Sequence, residues 1–286
     1  MCLLLAIISA KALSAAQGDA WQHRIGNRAI IELFPTSDLY PAYIASPRQP
    51  RFSMRFISAI RRDIPHTPRA RLGTAAGASL GLFRLFPTGR PDRSFQLQMA
   101  AGTFAQWEKQ GSDGIGWDGV YQIAGTWIWG EKLAFKLGIG HISSHVVDEH
   151  IENTGRRRLN YTREEVAAGA SYAPRANGRF YTEMGYAHLQ RSALQRPWRV
   201  QTGVECAGPE RWWAGRLGFF AAGDVQARQE NDWRPALAAQ VGVQIVQASL
   251  GRSFRIGVEF YDGHSPLGEF FQALERHVAL GWWLDF

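Results

Sequence analysis

Apolar and polar residues alternate along most of the chain after Arg51, and this two-residue period predicts β-strands. The stretch 254–261 places Phe, Ile, Val and Phe on alternate positions, with Arg, Gly and Glu between them. The stretches 198–206 and 237–245 follow the same period. Such segments reach about ten residues, which a tilted strand needs to cross a bilayer, whereas strands of soluble proteins average about 5–6 residues.

About twelve of these segments follow one another, which predicts an all-β, transmembrane antiparallel β-barrel. The connections at 130–131 and 174–178 are short, as periplasmic turns are. Those at 61–71, 147–158 and 262–273 are long, as extracellular loops are. The predicted strands cover residues 51–60, 73–86, 94–108, 117–129, 132–146, 160–173, 179–190, 197–207, 212–224, 235–247, 252–262 and 274–286.

The C-terminal stretch "HVALGWWLDF" places hydrophobic residues on alternate positions and ends on Phe286. This pattern resembles the signal by which Gram-negative outer-membrane barrels are assembled. We therefore expect the barrel-assembly machinery to be a partner and the outer membrane to be the location. Tryptophans gather near the ends of predicted strands, as they do in the interfacial girdles of such barrels.

The chain divides into three predicted parts. Residues 1–16 combine a short apolar core with small residues and predict a secretory signal peptide. Residues 17–50 are Pro-rich and irregular, and we expect them in the periplasm or as a plug at one end of the barrel. Residues 51–286 form the predicted barrel. Cys2 would leave with the signal peptide, so Cys206 would have no disulfide partner.

Composition narrows the classes of partner. Lys and Arg number 32 against 25 Asp and Glu, which gives a net charge of +7. The arginines are scattered and no recognition motif is present, so nucleic acid is not expected as a partner. Anionic lipid headgroups or acidic sugars suit the charge equally well. The mean hydropathy is −0.23, and no run of about 18 uncharged apolar residues follows the N-terminus, so a membrane-spanning helix is not expected.

Candidate chemistry lies in "GIGHISSHVVDEH", residues 138–150. The odd positions of the predicted strand are apolar up to Ile139, so His141 and Ser143 are expected on the lipid-facing side. A His two positions from a Ser can remove the hydroxyl proton if a third group orients the imidazole. The pair is similar to that of outer-membrane phospholipase A and of the lipid A deacylases, and this likeness implies a third group on the next strand, Glu164 or Asn160.

Two other interpretations of this cluster remain open. A bulge at Gly138 or Gly140 would reverse the faces and bring His141, Ser143 and His145 into a polar network in the lumen. Asp148 and Glu149 could instead bind a cation such as Ca²⁺ through their oxygens. A second polar group, which includes His264 and Ser265, lies in a predicted extracellular loop, either as a shaped loop or in contact with the first cluster across the barrel mouth.

Three blocks of the sequence resemble, in order, a family of bacterial exported, outer-membrane-associated proteins classed as a domain of unknown function. They are "LFPTSDLYPAYIASPRQPRFS", "GHISSHVVDEH" followed by "NYTREEV", and "YDGHSPLGEFF". The chain has Val146-Val147 where the family pattern leads us to expect Leu-Gly. The family has no assigned activity, but the resemblance points to His141, Ser143, Ser144, His145, Asp148, Glu149, Asn160, Tyr161, Glu164, His264 and Ser265.

Three functions are compatible with the sequence. The first is a structural, small-pore or ligand-binding outer-membrane barrel, because about twelve strands leave a narrow lumen filled by side chains. The second is an esterase or deacylase of outer-membrane lipid that uses Ser143 and His141. The third is a soluble periplasmic β-sandwich that binds sugars.

Overall fold

The computed structural model describes residues 21–108, 113–175, 177–208, 217–247 and 252–285. Within these residues none of the helices is long and apolar enough to cross a membrane. A short α-helix, α1, covers Asp148–Thr154. The strands are β1 (Gln22–Ile25), β2 (Ala29–Leu33), β3 (Phe52–Arg62), β4 (Ala70–Pro87), β5 (Phe95–Glu108), β6 (Gly114–Trp129), β7 (Leu133–Val146), β8 (Thr162–Arg175), β9 (Gly178–Gln190), β10 (Trp198–Ala207), β11 (Leu217–Arg228), β12 (Ala236–Gln247), β13 (Arg252–His264) and β14 (Leu274–Asp285).

The strands from β3 to β14 form a closed antiparallel barrel. Each pairs with the next along the chain, and β14 pairs with β3, which closes a ring of twelve described strands. The predicted barrel is therefore confirmed. The soluble β-sandwich is wrong, because Val278 and Leu280 are 39% and 59% exposed on the outside of β14. The start predicted for the ninth segment, 212, lies outside the described residues.

Two further strands lie where the sequence predicts irregular structure. β1 and β2 form a hairpin around Gly26, whose φ is +59°, and β2 pairs with the last part of β4. The first part of β4 pairs with β3 along the same edge. Strands of 4 and 5 residues alternate too few times to give a recognisable period, which is why the pattern does not reveal them.

The barrel wall is apolar outside and polar inside. Leu137, Ile139 and Val241 expose 52–58% of their surface on the outer side. Inside, the side chains of Arg71 and Glu275 are fully buried and lie 3.0 Å apart. Buried charges require such partners, and a continuous exposed apolar wall is what a bilayer covers.

The segment 34–50 lies inside the barrel. The Tyr43 ring stacks on Tyr181 with centroids 4.0 Å apart, and the Tyr43 hydroxyl donates a hydrogen bond of 2.8 Å to Glu183. Arg179 on β9 donates to the carbonyl oxygens of Pro41 and Ala42 at 2.7 and 2.9 Å. Inward-facing side chains of the wall therefore hold the irregular segment at both its backbone and its aromatic side chains.

The connections β3–β4, β7–β8, β11–β12 and β13–β14 lie at the same end of the barrel, which we call the loop end. The connection β13–β14 folds into the lumen there. A single 3-10 turn, Gly268–Phe270, is buried there. The Glu269 carboxylate accepts backbone N–H groups from Leu159 at 2.7 Å and Tyr161 at 3.0 Å. The turn packs in an apolar cluster made of Ile64, Ile115, Val146, Leu267 and Phe270.

Candidate functional site

The register of β7 fixes which way the predicted site residues face. The ladder between β6 and β7 runs from Trp129 opposite Leu133 to Gly116 opposite Val146 with no shift, and the ladder between β7 and β8 has none either. No bulge occurs at Gly138 or Gly140, so the faces are not reversed. His141, Ser143 and His145 share the outer face with the exposed Leu137 and Ile139.

Two hydrogen bonds link polar side chains on this outer face. The Ser143 Oγ lies 2.9 Å from His145 Nε2. The His141 Nδ1 lies 2.5 Å from the Oε1 of Glu164, which is its direct neighbour on β8. Ser143 therefore lies between two imidazoles and bonds to His145, whereas the sequence led us to expect His141 as its partner.

Cross-strand aromatic rings hold both imidazoles. Tyr121 stacks on His141 with centroids 4.7 Å apart, and Trp117 stacks on His145 at 4.4 Å. Both aromatic residues lie on β6 directly opposite the histidine that they contact. The stacked rings restrict the orientations of the imidazoles, and a restricted base is better placed to accept a proton than a mobile one.

The arrangement has the parts of a nucleophile and its base. A serine hydroxyl within hydrogen-bond distance of an imidazole can lose its proton as it attacks a carbonyl carbon. A carboxylate that bonds a second imidazole, as Glu164 does, fixes the orientation of that ring. The outer face of β7 and β8 therefore presents a nucleophile, a base and a second, oriented imidazole within one pleat of each other.

Ser144, the next residue, points into the barrel. Its hydroxyl donates a hydrogen bond to Asp118 and accepts the backbone N–H of Glu269 at 2.8 Å. Asp118 also accepts the N–H of Gly268 at 3.1 Å. Ser144 therefore anchors the buried 3-10 turn of the loop end, and it contacts the second polar group of the sequence through the backbone of that turn.

The structure separates the residues predicted on β8. Tyr161 is fully buried, and its hydroxyl donates to Glu230 at 3.0 Å and accepts from Arg228 at 2.8 Å. Asn160 is exposed with a φ of 52° just before β8 begins. Glu164, rather than Asn160, is the neighbouring-strand group that reaches His141.

The predicted cation ligands lie in the first turn of α1. Asp148 pairs with Arg158, and Glu149 is exposed. Within the residues that the structure describes, no group of three or more His, Cys, Asp or Glu side chains is arranged to hold a metal ion. The described part of the chain thus brings no third side chain of these types to Asp148 and Glu149.

His264 and Ser265 lie where β13 ends at the barrel mouth. The Ser265 N–H donates to the Ala273 carbonyl at 2.8 Å, and its hydroxyl accepts the Leu267 N–H at 3.3 Å. The carbonyl of His264 accepts the Tyr261 hydroxyl. Both residues therefore shape the β13–β14 connection, and neither reaches the outer face that holds Ser143.

The family of the chain follows from its sequence. A sequence profile of the family described as "Protein of unknown function (DUF1207)" matches residues 22–286. The chain belongs to the DUF1207 family. The resemblance expected from the three sequence blocks is therefore confirmed. No curated protein matches this DUF1207 chain.

Solved structures show the same fold. Outer membrane phospholipase A from Escherichia coli superposes with a TM-score of 0.55 and 10% identity over 82% of the DUF1207 chain and 93% of its own. An active-site mutant of the same enzyme at pH 6.1 gives a TM-score of 0.52 and 11% identity, with 86% and 93% covered. The NanC porin gives 0.46 and 10% identity, with 82% and 100% covered. The DUF1207 chain has the outer-membrane β-barrel fold.

Sequence reasoning missed three functional neighbours of the site. Tyr121 and Trp117 stack on its histidines, and Asp118 holds Ser144. All three lie in the stretch 117–121, whose alternation predicts the face of each residue. The register between β6 and β7 decides which residues face each other, and the alternation within each strand leaves that register undetermined.

Proposed function

We propose that this DUF1207 protein is an enzyme of the outer membrane that hydrolyses acyl esters of membrane lipids, with Ser143 as the nucleophile. The observation that carries the proposal is the contact of 2.9 Å between Ser143 Oγ and His145 Nε2 on the outward, apolar wall. A lipid in the surrounding bilayer reaches this face directly. Its ester carbonyl lies at the interface, near the depth at which the end of β7 leaves the wall.

The reaction follows from the positions of three side chains. His145 Nε2 takes the Ser143 proton as Oγ bonds to the ester carbonyl carbon, and then gives that proton to the departing alcohol oxygen. Water, activated by the same imidazole, releases the acyl group as a fatty acid and restores Ser143. His141, oriented by its hydrogen bond to Glu164, flanks Ser143 and donates an N–H to the oxyanion that forms at the carbonyl oxygen.

The membrane location and the partners belong to the same proposal. Outer-membrane lipid surrounds the apolar wall, and the loop end, which has the connection 147–161 and the site beside it, faces outward. The barrel-assembly machinery recognises β14. Its outward Val278 and Leu280 support this role, whereas Phe286 and the proposed signal peptide at 1–16 lie outside the described residues.

An open pore has less support from the geometry. The segment 34–50 and the Gly268–Phe270 turn both lie within the lumen. A lumen that holds these two segments leaves separate cavities, so a wide channel does not fit the arrangement.

The direct test is release of fatty acid by the purified protein in detergent. Phospholipid and lipid A serve as substrates, each with calcium and with a chelator, because a bound cation can stabilise an oxyanion. A fluorophosphonate probe should label Ser143, and the labelled peptide is identified by mass spectrometry. If the folded protein releases no fatty acid under any of these conditions and takes up no probe, the proposal is wrong.

A further inference from the structure

A cavity lies inside the barrel near the loop end, away from the outer wall that holds Ser143, and its space of about 520 Å³ includes a part that is open to solvent. It lies between the segment 34–50 and the connections β11–β12 and β13–β14. Among its described lining residues the ionisable side chains are Arg48, Arg228, Arg234, His264, Asp224 and Tyr261.

Arg48, one of the residues that line this cavity, has an unused hydrogen-bond donor. Its Nε donates to the carbonyl of Pro266, and its Nη2 lies 3.4 Å from the Asp118 carboxylate. Its Nη1 is buried and has no hydrogen-bond partner. A buried guanidinium N–H that remains unbonded is unfavourable, so a ligand oxygen that accepts from it is stabilised.

Two other polar side chains on the wall differ from Arg48. The Nδ1 of His264 is buried without a hydrogen-bond partner, but a histidine ring nitrogen donates or accepts according to the tautomer. The carboxylate of Asp224 already accepts the Tyr181 hydroxyl at 2.5 Å and the Gln201 amide at 2.7 Å. The unpartnered Arg48 donor therefore lies on a wall whose carboxylate, that of Asp224, is already occupied.

The guanidiniums around the cavity also repel one another. Burial and the nearby charge of Arg228 lower the pKa of Arg48. Arg228 is itself paired with Glu230 at 3.2 Å, and Arg234 lies exposed at the rim. An anion placed between these groups would reduce their repulsion and would accept the unpartnered Arg48 N–H at the same time.

We infer that this cavity binds a small water-soluble solute that carries a carboxylate or phosphate group. The oxyanion accepts a hydrogen bond from Arg48, and Arg234 attracts it at the rim. The rest of the solute extends from this group toward the solvent at the rim. The solute comes from water rather than from lipid, because the cavity is enclosed by the barrel wall.

The experiment is a calorimetric titration of the folded protein in detergent with three probes: galacturonate, inorganic phosphate and the neutral sugar galactose. We expect the two anions to bind and galactose to bind at least about tenfold more weakly. Arg48→Gln should weaken anion binding about tenfold or more. Arg90→Gln is the matched control, since it removes the same charge from an exposed turn at the opposite end, where Arg90 pairs with Asp92.

A rim variant keeps the test decisive if Arg48→Gln does not fold, because its removal leaves Asp118 without that partner. Arg234→Gln changes an exposed side chain and should weaken anion binding about threefold. The inference is overturned if neither anion binds the folded wild-type protein, if galactose binds as well as galacturonate, or if the folded Arg48 and Arg234 variants bind like the Arg90 control.

Discussion

Ser143 and Ser144 are adjacent in the chain and have the same side chain, but β7 places them in opposite environments. Ser144 is buried, 3% exposed, and its hydroxyl is fully used by Asp118 and the Glu269 N–H. Ser143 faces outward between two imidazoles, with its hydroxyl on His145. The first hydroxyl holds the loop end in place, and the second has a base as its partner.

Residue type alone therefore does not mark a site on a barrel wall. The two-residue period assigns each serine to a face, and the partners on the neighbouring strands then decide what the hydroxyl can do. A hydroxyl between a carboxylate and a backbone N–H is a structural bridge. A hydroxyl that is hydrogen-bonded to an imidazole and faces the lipid meets the requirements for a nucleophile.

The largest expected effect separates the two serines by activity. Ser143→Ala should lower fatty-acid release by about 10³-fold or more, because the nucleophile is lost. Ser144→Ala should stay within about threefold of wild type, because its hydroxyl never reaches the outer face. The measurement is the initial rate on phospholipid and lipid A micelles. Equal losses in both variants would show that the serines do not differ in this way.

The next effect separates the two histidines that flank Ser143. His145→Asn should lower the rate by about 10²–10³-fold, because the base is lost. Glu164→Gln should lower it only about tenfold, because it weakens the hydrogen bond that orients His141 without removing the imidazole. The pH dependence of kcat distinguishes the two roles. Only a variant without the base should lose the decrease of kcat at low pH.

A reversed order has a definite meaning. If His141→Asn lowers the rate of fatty-acid release more than His145→Asn does, His141 is the base. The contact between Ser143 and His145 then belongs to the resting state alone. Tyr121→Phe serves as the control for packing, because it keeps the ring that stacks on His141.

The alternation of the sequence predicts the wall of the barrel well. β7 covers residues 133–146, and the predicted range of 132–146 differs from it by one residue. The prediction is this close because apolar and polar residues alternate along the whole length of each wall strand. The same alternation predicts that His141 and Ser143 face outward. Period and face are local properties, so a single chain is enough to reveal them.

Individual side-chain contacts could not be predicted in this way. The bond from Ser143 to His145 depends on rotamers, and the stack of Trp117 on His145 depends on register. The placement of Arg48 near Pro266 joins positions far apart in the chain. This last contact depends on closure of the barrel around the segment 34–50, which no local pattern encodes.

A smaller effect tests the structural side of the comparison. Ser144→Ala leaves the Glu269 N–H without its acceptor and removes one of the donors to Asp118, and should destabilise the 3-10 turn by about 1–3 kcal/mol. Hydrogen exchange of the Gly268 and Glu269 amides measures that loss. Ser143→Ala is the matched control and should leave these amides protected. Equal protection in both variants would show that Ser144 does not anchor the turn.

The smallest effect concerns the pH dependence of α1, beside the loop-end turn. His150 is 3% exposed, packs edge-on against Phe270, and has an Nε2 without a hydrogen-bond partner. Burial, helped by the positive charges of Arg156 and His66, lowers the pKa of His150. The folded helix therefore prefers the neutral imidazole.

The sign of the effect follows from which state binds more protons. With its pKa lower in the folded state, His150 contributes its full stabilisation above the unfolded value of about 6.5 and loses it as the pH falls. Protection of the α1 amides, corrected for intrinsic exchange, should thus decrease between about pH 7.5 and 5.5. His150→Phe keeps the contact with Phe270 and removes the proton, so its protection should not change over the same range. A wild-type profile as flat as that of the variant would show that the imidazole titrates alike in both states.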